Sequence, residues 1–418
     1  MNTMFEKYKK YKFWINTTIL FCMFFIHCFF KNMCFVVYPI LLLMVVLDNL
    51  ENGISYLIMC LPFYLIRNFL SSILYFICVF AYIVKFFIVI YGIEKNKISK
   101  MEIIPIVAFL IYMLLPFGEY NLNLFLKVSL LIFVLAFVCA VMKKPQVLKL
   151  EKNVRILSVS LLISAMLSML TFVSPWLRES LGQMDFSSLF RFKAMFNNVN
   201  VLAMMCEIVL SLLIASIITK NKWYDWALFA LISLLGITTF SKTFLILWAL
   251  MLLILFGVFL RRKPIKTLII SLAVAGVVLI VLKIKPDIYY MFKNRLVGYI
   301  EGCKTFEDVM NMVTTNRYGI WKTYISYIVS NPVVLFFGKG LGAYRLEGLN
   351  STHNALLGCV YQLGIVGLIL FIVAIVFLVK ANRKNSEKKK FNFALLVPII
   401  ILLLILQVED MIFFINRL

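Results

Sequence analysis

"VNVLAMMCEIVLSLLIASIITKNK" (residues 199–222) decides the fold. It is one apolar run of about 20 residues, the length that crosses a bilayer's hydrocarbon layer as a helix. A lone carboxylate, Glu207, interrupts it, and Lys220 and Lys222 close it. Its apolar residues do not alternate with polar ones, as the strands of a membrane β-barrel would require.

The pattern recurs outward from there. The chain of 418 residues is 63% hydrophobic and 15% charged, more apolar surface than a soluble domain of this size can hide. Spans are expected at 13–30, 33–47, 54–66, 69–91, 102–117, 122–142, 154–174, 199–219, 223–240, 243–260, 265–282, 355–380 and 391–412. The fold class is therefore an all-α polytopic membrane protein with about 12–13 transmembrane helices. The organisation expected is transmembrane helices over 1–282 with a loop at 175–198, a large loop with helical segments over 283–354, and C-terminal helices over 355–418.

A net charge of +23 would point to nucleic acid in a soluble protein. Here the cations gather between apolar runs, at Lys95/Lys97/Lys100, Lys143/Lys144/Lys149/Lys152/Arg155, Lys220/Lys222, Arg261/Arg262/Lys263/Lys266 and Arg383 to Lys390. These fall in alternate connections, which is the positive-inside pattern, so the partner is the lipid bilayer and no nucleic acid is expected. The basic start "MNTMFEKYKKYKFW" leads into the first span without a small-residue cleavage site, and reads as an uncleaved helix with a cytoplasmic N-terminus. Nine cysteines form no C-x-x-C pair, and no carboxylate or Cys/His cluster offers a metal site, so neither metal nor cofactor is expected.

The opposite face collects chemistry. Arg191, Lys193, Lys242, Arg317 and His353 all fall there, at or near helix ends. "RFKAMFNNVN" (residues 191–200) sets two cations and the amides Asn197 and Asn200 before a helix N-terminus, a place that suits anions. Capping and headgroup contact explain it equally well. His353 could accept a proton from a hydroxyl near neutral pH, with Asn354 orienting the ring or a substrate. Continuous helical counting from His353 would put Gly364 and Gly367 beneath it as a packing seam. His27, in mid-span with no motif, reads as structural.

"TNRYGIWKTYISYIVSNP" reads as a helix ended by Asn331-Pro332. Its Tyr318, Trp321, Tyr324 and Tyr327 could stack on sugars, or form an aromatic belt at the headgroups. Gly338-x-Gly340-x-Gly342 could present N–H groups to a phosphate, but a turn into the next helix is the simpler reading. Glu409 and Asp410 either bind hydroxyls or end a helix.

Taken together, outward cations, one histidine and amides fit a lipid-linked phosphate donor beside a hydroxyl nucleophile. The motifs resemble those of the O-antigen ligase and repeat-unit polymerase family of bacterial envelope glycosyltransferases. His353-Asn354, nine residues, then Gly364-Ile365-Val366-Gly367 fits its HN-x9-GxxG pattern. Arg191 with Asn197 and Asn200 is similar to its "R…G.F.NPN" segment, with Val199 where the proline stands. Lys242 stands at the family's Ser-Arg, and Arg317 with Trp321 resembles its loop arginine and tryptophan.

The resemblance implies a GT-C-like fold and metal-independent, inverting transfer from an undecaprenyl-diphosphate-linked oligosaccharide on the outer face of the bacterial cytoplasmic membrane. It makes His353 the general base and gives Arg191 and Arg317 the diphosphate. Lys193, Asn197, Asn200, Lys242, Trp321 and Asn354 become substrate-binding residues. The partners it implies beyond donor and acceptor are a flippase and a chain-length regulator. A polymerase of capsule or exopolysaccharide repeat units is the reading favoured, with a ligase acting on lipid A core as the alternative. A lipid-linked oligosaccharide flippase, using Lys85 and Glu207, is the alternative from a different class.

Overall fold

The computed structural model describes residues 2–63, 69–93, 149–173, 191–196, 198–284, 303–314, 316–340 and 352–385, with isolated positions between, among them Tyr112 and Val147. Among the described residues, every regular element of any length is helical: Asn2–Phe29 (α1), Cys34–Leu47 (α2), Leu50–Cys60 (α3), Phe69–Phe87 (α4), Leu150–Val173 (α5), Val199–Lys220 (α6), Trp223–Ile237 (α7), Lys242–Arg262 (α8), Pro264–Ile284 (α9), Phe306–Thr314 (α10), Arg317–Ser330 (α11), Pro332–Phe337 (α12) and Ala355–Asn385 (α13). Among the described residues, Tyr11–Phe29, Leu70–Ile93, Leu150–Leu170, Val199–Lys220, Lys242–Arg262 and Leu356–Val373 are long and apolar enough to cross a membrane. The protein is an all-α polytopic membrane protein. The expected spans at 102–117, 122–142 and 391–412 fall largely outside the described residues, as do most of the 175–198 connection, Asn197, Gly342, Glu409 and Asp410.

Burial in α5 shows which solvent the helices are built for. Ser158, Ser160, Ser164 and Ser168 are fully buried, whereas Met166 is 66% exposed and Val159, Met169 and Leu170 are also on the outside. Small polar residues inside and large apolar ones outside suit a lipid surround, where hydroxyls must find backbone partners. Ser158 Oγ donates to Val154 O at 2.7 Å and Ser164 Oγ to Leu161 O at 2.9 Å.

Two expected spans are bounded differently. The 54–66 run begins earlier, as α3 followed by a tight turn at Leu61–Phe63, and its last three positions lie outside the described residues. The Asn49 side chain accepts from Asn52 N at 2.7 Å and starts the helix early; Pro62 sits in the turn that follows it. The 223–240 run stops at Ile237, where Thr238 and Thr239 hydroxyls donate to Leu235 O and Gly236 O, each at 2.6 Å, and Phe240 turns left-handed at φ 47°.

The chain divides into two compact units, Met1–Lys97 with Phe137–Ser241, and Ile98–Ala136 with Lys242–Leu418. In the first, α2 packs on α3 and α4, and α5 lies against α3, α6 and α7. Leu20, Phe24, Tyr38, Phe63 and Phe86 lie in one apolar core there. His27 is buried in it, Nε2 3.3 Å from Ser71 Oγ, and is structural as read.

Among the described residues, the ion pairs of this first unit gather at one end. Lys12 pairs with Asp48 at 3.4 Å, Lys149 and Lys152 with Glu51, and Lys220 with Glu151 at 2.9 Å. Arg155 grips the fully buried Asp225 through Nε at 2.7 Å and Nη2 at 3.1 Å. That is the Lys220 end of α6. Its Asn200 end stands about 30 Å away at 1.5 Å per residue.

In the second unit, α12 and α11 pack against α13, around Tyr324, Ile328, Ala343 and Tyr361. Helix α11 ends at Asn331, and Pro332 opens α12, as the sequence indicates.

Candidate functional site

The candidate residues fall in both units, and each set has its own geometry. In the first unit, Arg191 and Phe192 lie along the turn that ends α7. Phe192 N donates to Thr238 O at 3.1 Å, and Arg191 Nε donates to Thr239 O at 2.8 Å. Arg191 Nη2 donates to Asn200 Oδ1 at 3.2 Å, so Asn200 orients the guanidinium. Asn198 caps α6 by accepting from Asn200 N at 2.9 Å. Lys193 is half-buried beside Ala194, which is held left-handed at φ 49°.

In the second unit, hydrogen bonds link Lys242 and Trp321 to the segments that carry Arg317 and His353. Lys242 Nζ donates to Met312 O at 2.8 Å, fixing the start of α8 to α10. Next to Met312, Asn311 Oδ1 accepts from Gly319 N at 2.7 Å and Asn311 O from Asn316 N at 2.6 Å, which sets the angle of α11. Arg317 opens α11, and Trp321 follows one turn later on the same face. Trp321 Nε1 then donates to Thr352 O at 2.7 Å, immediately before His353. Thr352 Oγ1 donates to Asn354 O at 3.0 Å, and Asn354 Oδ1 accepts from Leu357 N at 2.9 Å. Asn354 is thus the cap of α13.

His353 itself stands in a bend, half-buried, at φ 47°. A side chain other than glycine in this region is uncommon, and such strain collects at functional sites. Among the described residues other than glycine, left-handed backbone occurs at Lys149, Ala194, Asn221, Phe240, Asn316 and His353. Ala194 follows Lys193, Phe240 precedes Ser241-Lys242, and Asn316 precedes Arg317. Three of these six positions therefore adjoin or are candidate site residues, and Phe240 stands two residues before Lys242.

The seam beneath His353 needs correction. Helical counting through Gly364 assumes an unbroken helix, but α13 begins only at Ala355 and breaks at Gly364, φ 67° and ψ −179°. The glycines serve a backbone crossing. A Cβ on Gly364 would collide with the Phe336 carbonyl, and one on Gly338 with the Gln362 carbonyl. The break removes helical donors from the last carbonyls of the first half-helix, and each finds another. Lys339 N donates to Tyr361 O at 2.8 Å and Gly340 N to Gln362 O at 3.0 Å. The one hydrogen on Tyr112 Oη is shared between Leu363 O and Phe337 O. Gly367 lies under the same tyrosine, where a Cβ would be 2.7 Å from Tyr112 Cε1.

Two further readings change. Gly338 N is bonded to Val334 O at 2.9 Å, and the next two N–H groups to α13, so this turn is a packing device and not a phosphate cradle. The aromatic row turns inward: Tyr324 is fully buried with its ring 5.0 Å from Tyr361, and Tyr327 lies 6.1 Å from it. Lys85, a candidate for a transport path, donates to Val45 O at 3.0 Å and to Asp48 O, closing the C-terminal end of α2.

Sequence reasoning missed Tyr112, Thr352, Thr239 and Asn198. Asn198 had a signal, an amide directly before an apolar run. Tyr112 had none, since only the crossing brings a tyrosine 251 residues away to Leu363.

A family model described as O-Antigen ligase (Wzy_C) matches residues 227–372. No curated protein and no solved structure matches.

Proposed function

We propose that this chain, whose residues 227–372 match a family model described as O-Antigen ligase, is a membrane glycosyltransferase that polymerises lipid-linked glycan repeat units. The donor is an undecaprenyl-diphosphate-linked oligosaccharide and the acceptor a hydroxyl on a second lipid-linked glycan, at the outer face of the cytoplasmic membrane. The observation that carries the reading is the set of hydrogen bonds linking Lys242 and Trp321 to the segments that carry Arg317 and His353. It fixes a titratable ring in strained backbone, behind an indole anchored at 2.7 Å and one helix face bearing Arg317.

A neutral imidazole nitrogen of His353 takes the proton from the acceptor hydroxyl. The resulting oxygen attacks the anomeric carbon of the donor, and the bond to the diphosphate oxygen breaks, with inversion. Negative charge grows on the leaving diphosphate, and a guanidinium at the start of α11 meets it with paired N–H donors. Arg191, oriented by Asn200 in the first unit, is proposed as a phosphate ligand on the same chemical ground. Capping leaves Asn354 a positioning role, holding the first turn of α13 directly behind the histidine.

The test is purified protein in vesicles with one lipid-linked repeat unit. A ladder of products supports polymerase. Transfer to added lipid A core without a ladder would move the assignment to ligase, and neither product would overturn glycosyl transfer.

A further inference from the structure

We propose that α11 and α12 form a re-entrant hairpin immersed in the leaflet on the His353 side, with lipid acyl chains as the partner of its exposed apolar surface. Contacts along α13 give a ruler. Trp321 meets Thr352, Tyr324 meets Tyr361, and Phe336 meets Gly364, so α11 and α12 descend beside the first half of α13. From Gly364 to Lys380, α13 runs about 24 Å at 1.5 Å per residue. The hydrocarbon layer is about 30 Å thick. With Lys380 and Arg383 at its far boundary, the crossing at Gly364 lies inside the layer near the other boundary.

Exposure changes along the hairpin as this depth requires. Its upper part is polar outside, with Lys322 paired to Glu307 at 2.8 Å and Thr323 exposed. Lower down Ile325 and Val329 are exposed beside Ser326 and Ser330, and from Pro332 to Phe337 every exposed side chain is apolar, with Val329 63% and Val333 65% exposed. Lipid is the occupant that fits, because this surface lies beside a membrane-crossing helix whose own Ile369 and Ile372 are exposed. Irregular backbone at such depth needs its polar groups satisfied by protein. The crossing meets that condition through Lys339 N, Gly340 N and Tyr112 Oη. Lys339 lies 5.9 Å from the Tyr327 ring, and its long stem lets the ammonium rise toward the headgroups.

The test attaches an environment-sensitive fluorophore to Val333→Cys, Phe336→Cys or Lys322→Cys in the full-length protein. Cys22 and Cys303 are replaced by Ser, and the protein without the added cysteine is the labelling blank. The protein is reconstituted in phosphatidylethanolamine–phosphatidylglycerol vesicles with or without brominated acyl chains. Brominated chains are expected to lower emission at 333 and 336 about two-fold or more, and to leave 322 unchanged. No quenching at 333 and 336, or equal quenching at all three, would overturn the proposal. All three side chains are exposed, so the substitutions disturb no packing. Quenching needs no glycan, so failure here leaves the transfer reading standing, and failure of transfer leaves the hairpin standing.

Discussion

At the scale of residues, His353 combines a titratable ring with a left-handed backbone. Asparagine tolerates that backbone better than most side chains but cannot accept the proton. His353→Asn should therefore keep the fold and lower glycan transfer by about 10²–10⁴-fold, read as ladder formation at equal protein. Trp321→Phe keeps the ring but loses the N–H to Thr352 O, and should cost about 1 kcal/mol in thermal unfolding and slow transfer. The histidine, the arginines and the glycine spacing were legible as a motif. Their supports were not, because Thr352 and Asn198 act through local hydrogen bonds that many polar residues could make.

At the scale of elements, the break in α13 shows what spacing conceals. Nine residues separate Asn354 from Gly364. A helical ruler turns that into a shared face, whereas the backbone turns it into a crossing. Gly364→Ala and Gly338→Ala each add a Cβ into a carbonyl at positive φ. Each should cost more than about 2 kcal/mol, measured as unfolding in detergent. Tyr112→Phe removes the donor that Leu363 O and Phe337 O share, and should cost about 1–3 kcal/mol in the same measurement. The aromatic row of α11 gave the right period, but Tyr324 faces Tyr361 and not a ligand. Periodicity locates a face without saying whether the next helix or a ligand covers it.

At the scale of the whole molecule, Lys149, Lys152, Arg155 and Lys220 from two of the basic clusters join a belt of ion pairs at one end of the first unit. Asp48 and Glu51, in and just after the α2–α3 connection, are central to it. Burial pulls the Asp48 carboxyl upward, but hydrogen bonds from Tyr56 and Asn49 and the charge of Lys12 outweigh it and leave it lowered. Glu51 is lowered in the same way by Lys149 and Lys152. Lowered carboxylates contribute their full stabilisation above the ordinary carboxylate pKa of about 4, and lose it as pH falls further. The melting temperature in detergent should fall below about pH 4, and Glu51→Gln should make that acid decline shallower. Asp225→Ala strips both bonds from the partly buried Arg155 and one from Ser216, and should cost about 3 kcal/mol or more.

Composition and run length by themselves determined an all-helical membrane protein, since no other solvent accepts so much apolar surface and no other element satisfies its backbone alone. The order of short motifs by itself pointed to glycan transfer. Only the tertiary structure decided that α13 breaks at Gly364, that its freed carbonyls take donors from Lys339, Gly340 and Tyr112, and that hydrogen bonds link Lys242 and Trp321 to the segments that carry Arg317 and His353. The reason is one of range. Hydrophobic runs and caps are local, whereas a backbone crossing depends on residues far apart in sequence meeting within a few ångströms, and spacing along the chain does not encode that.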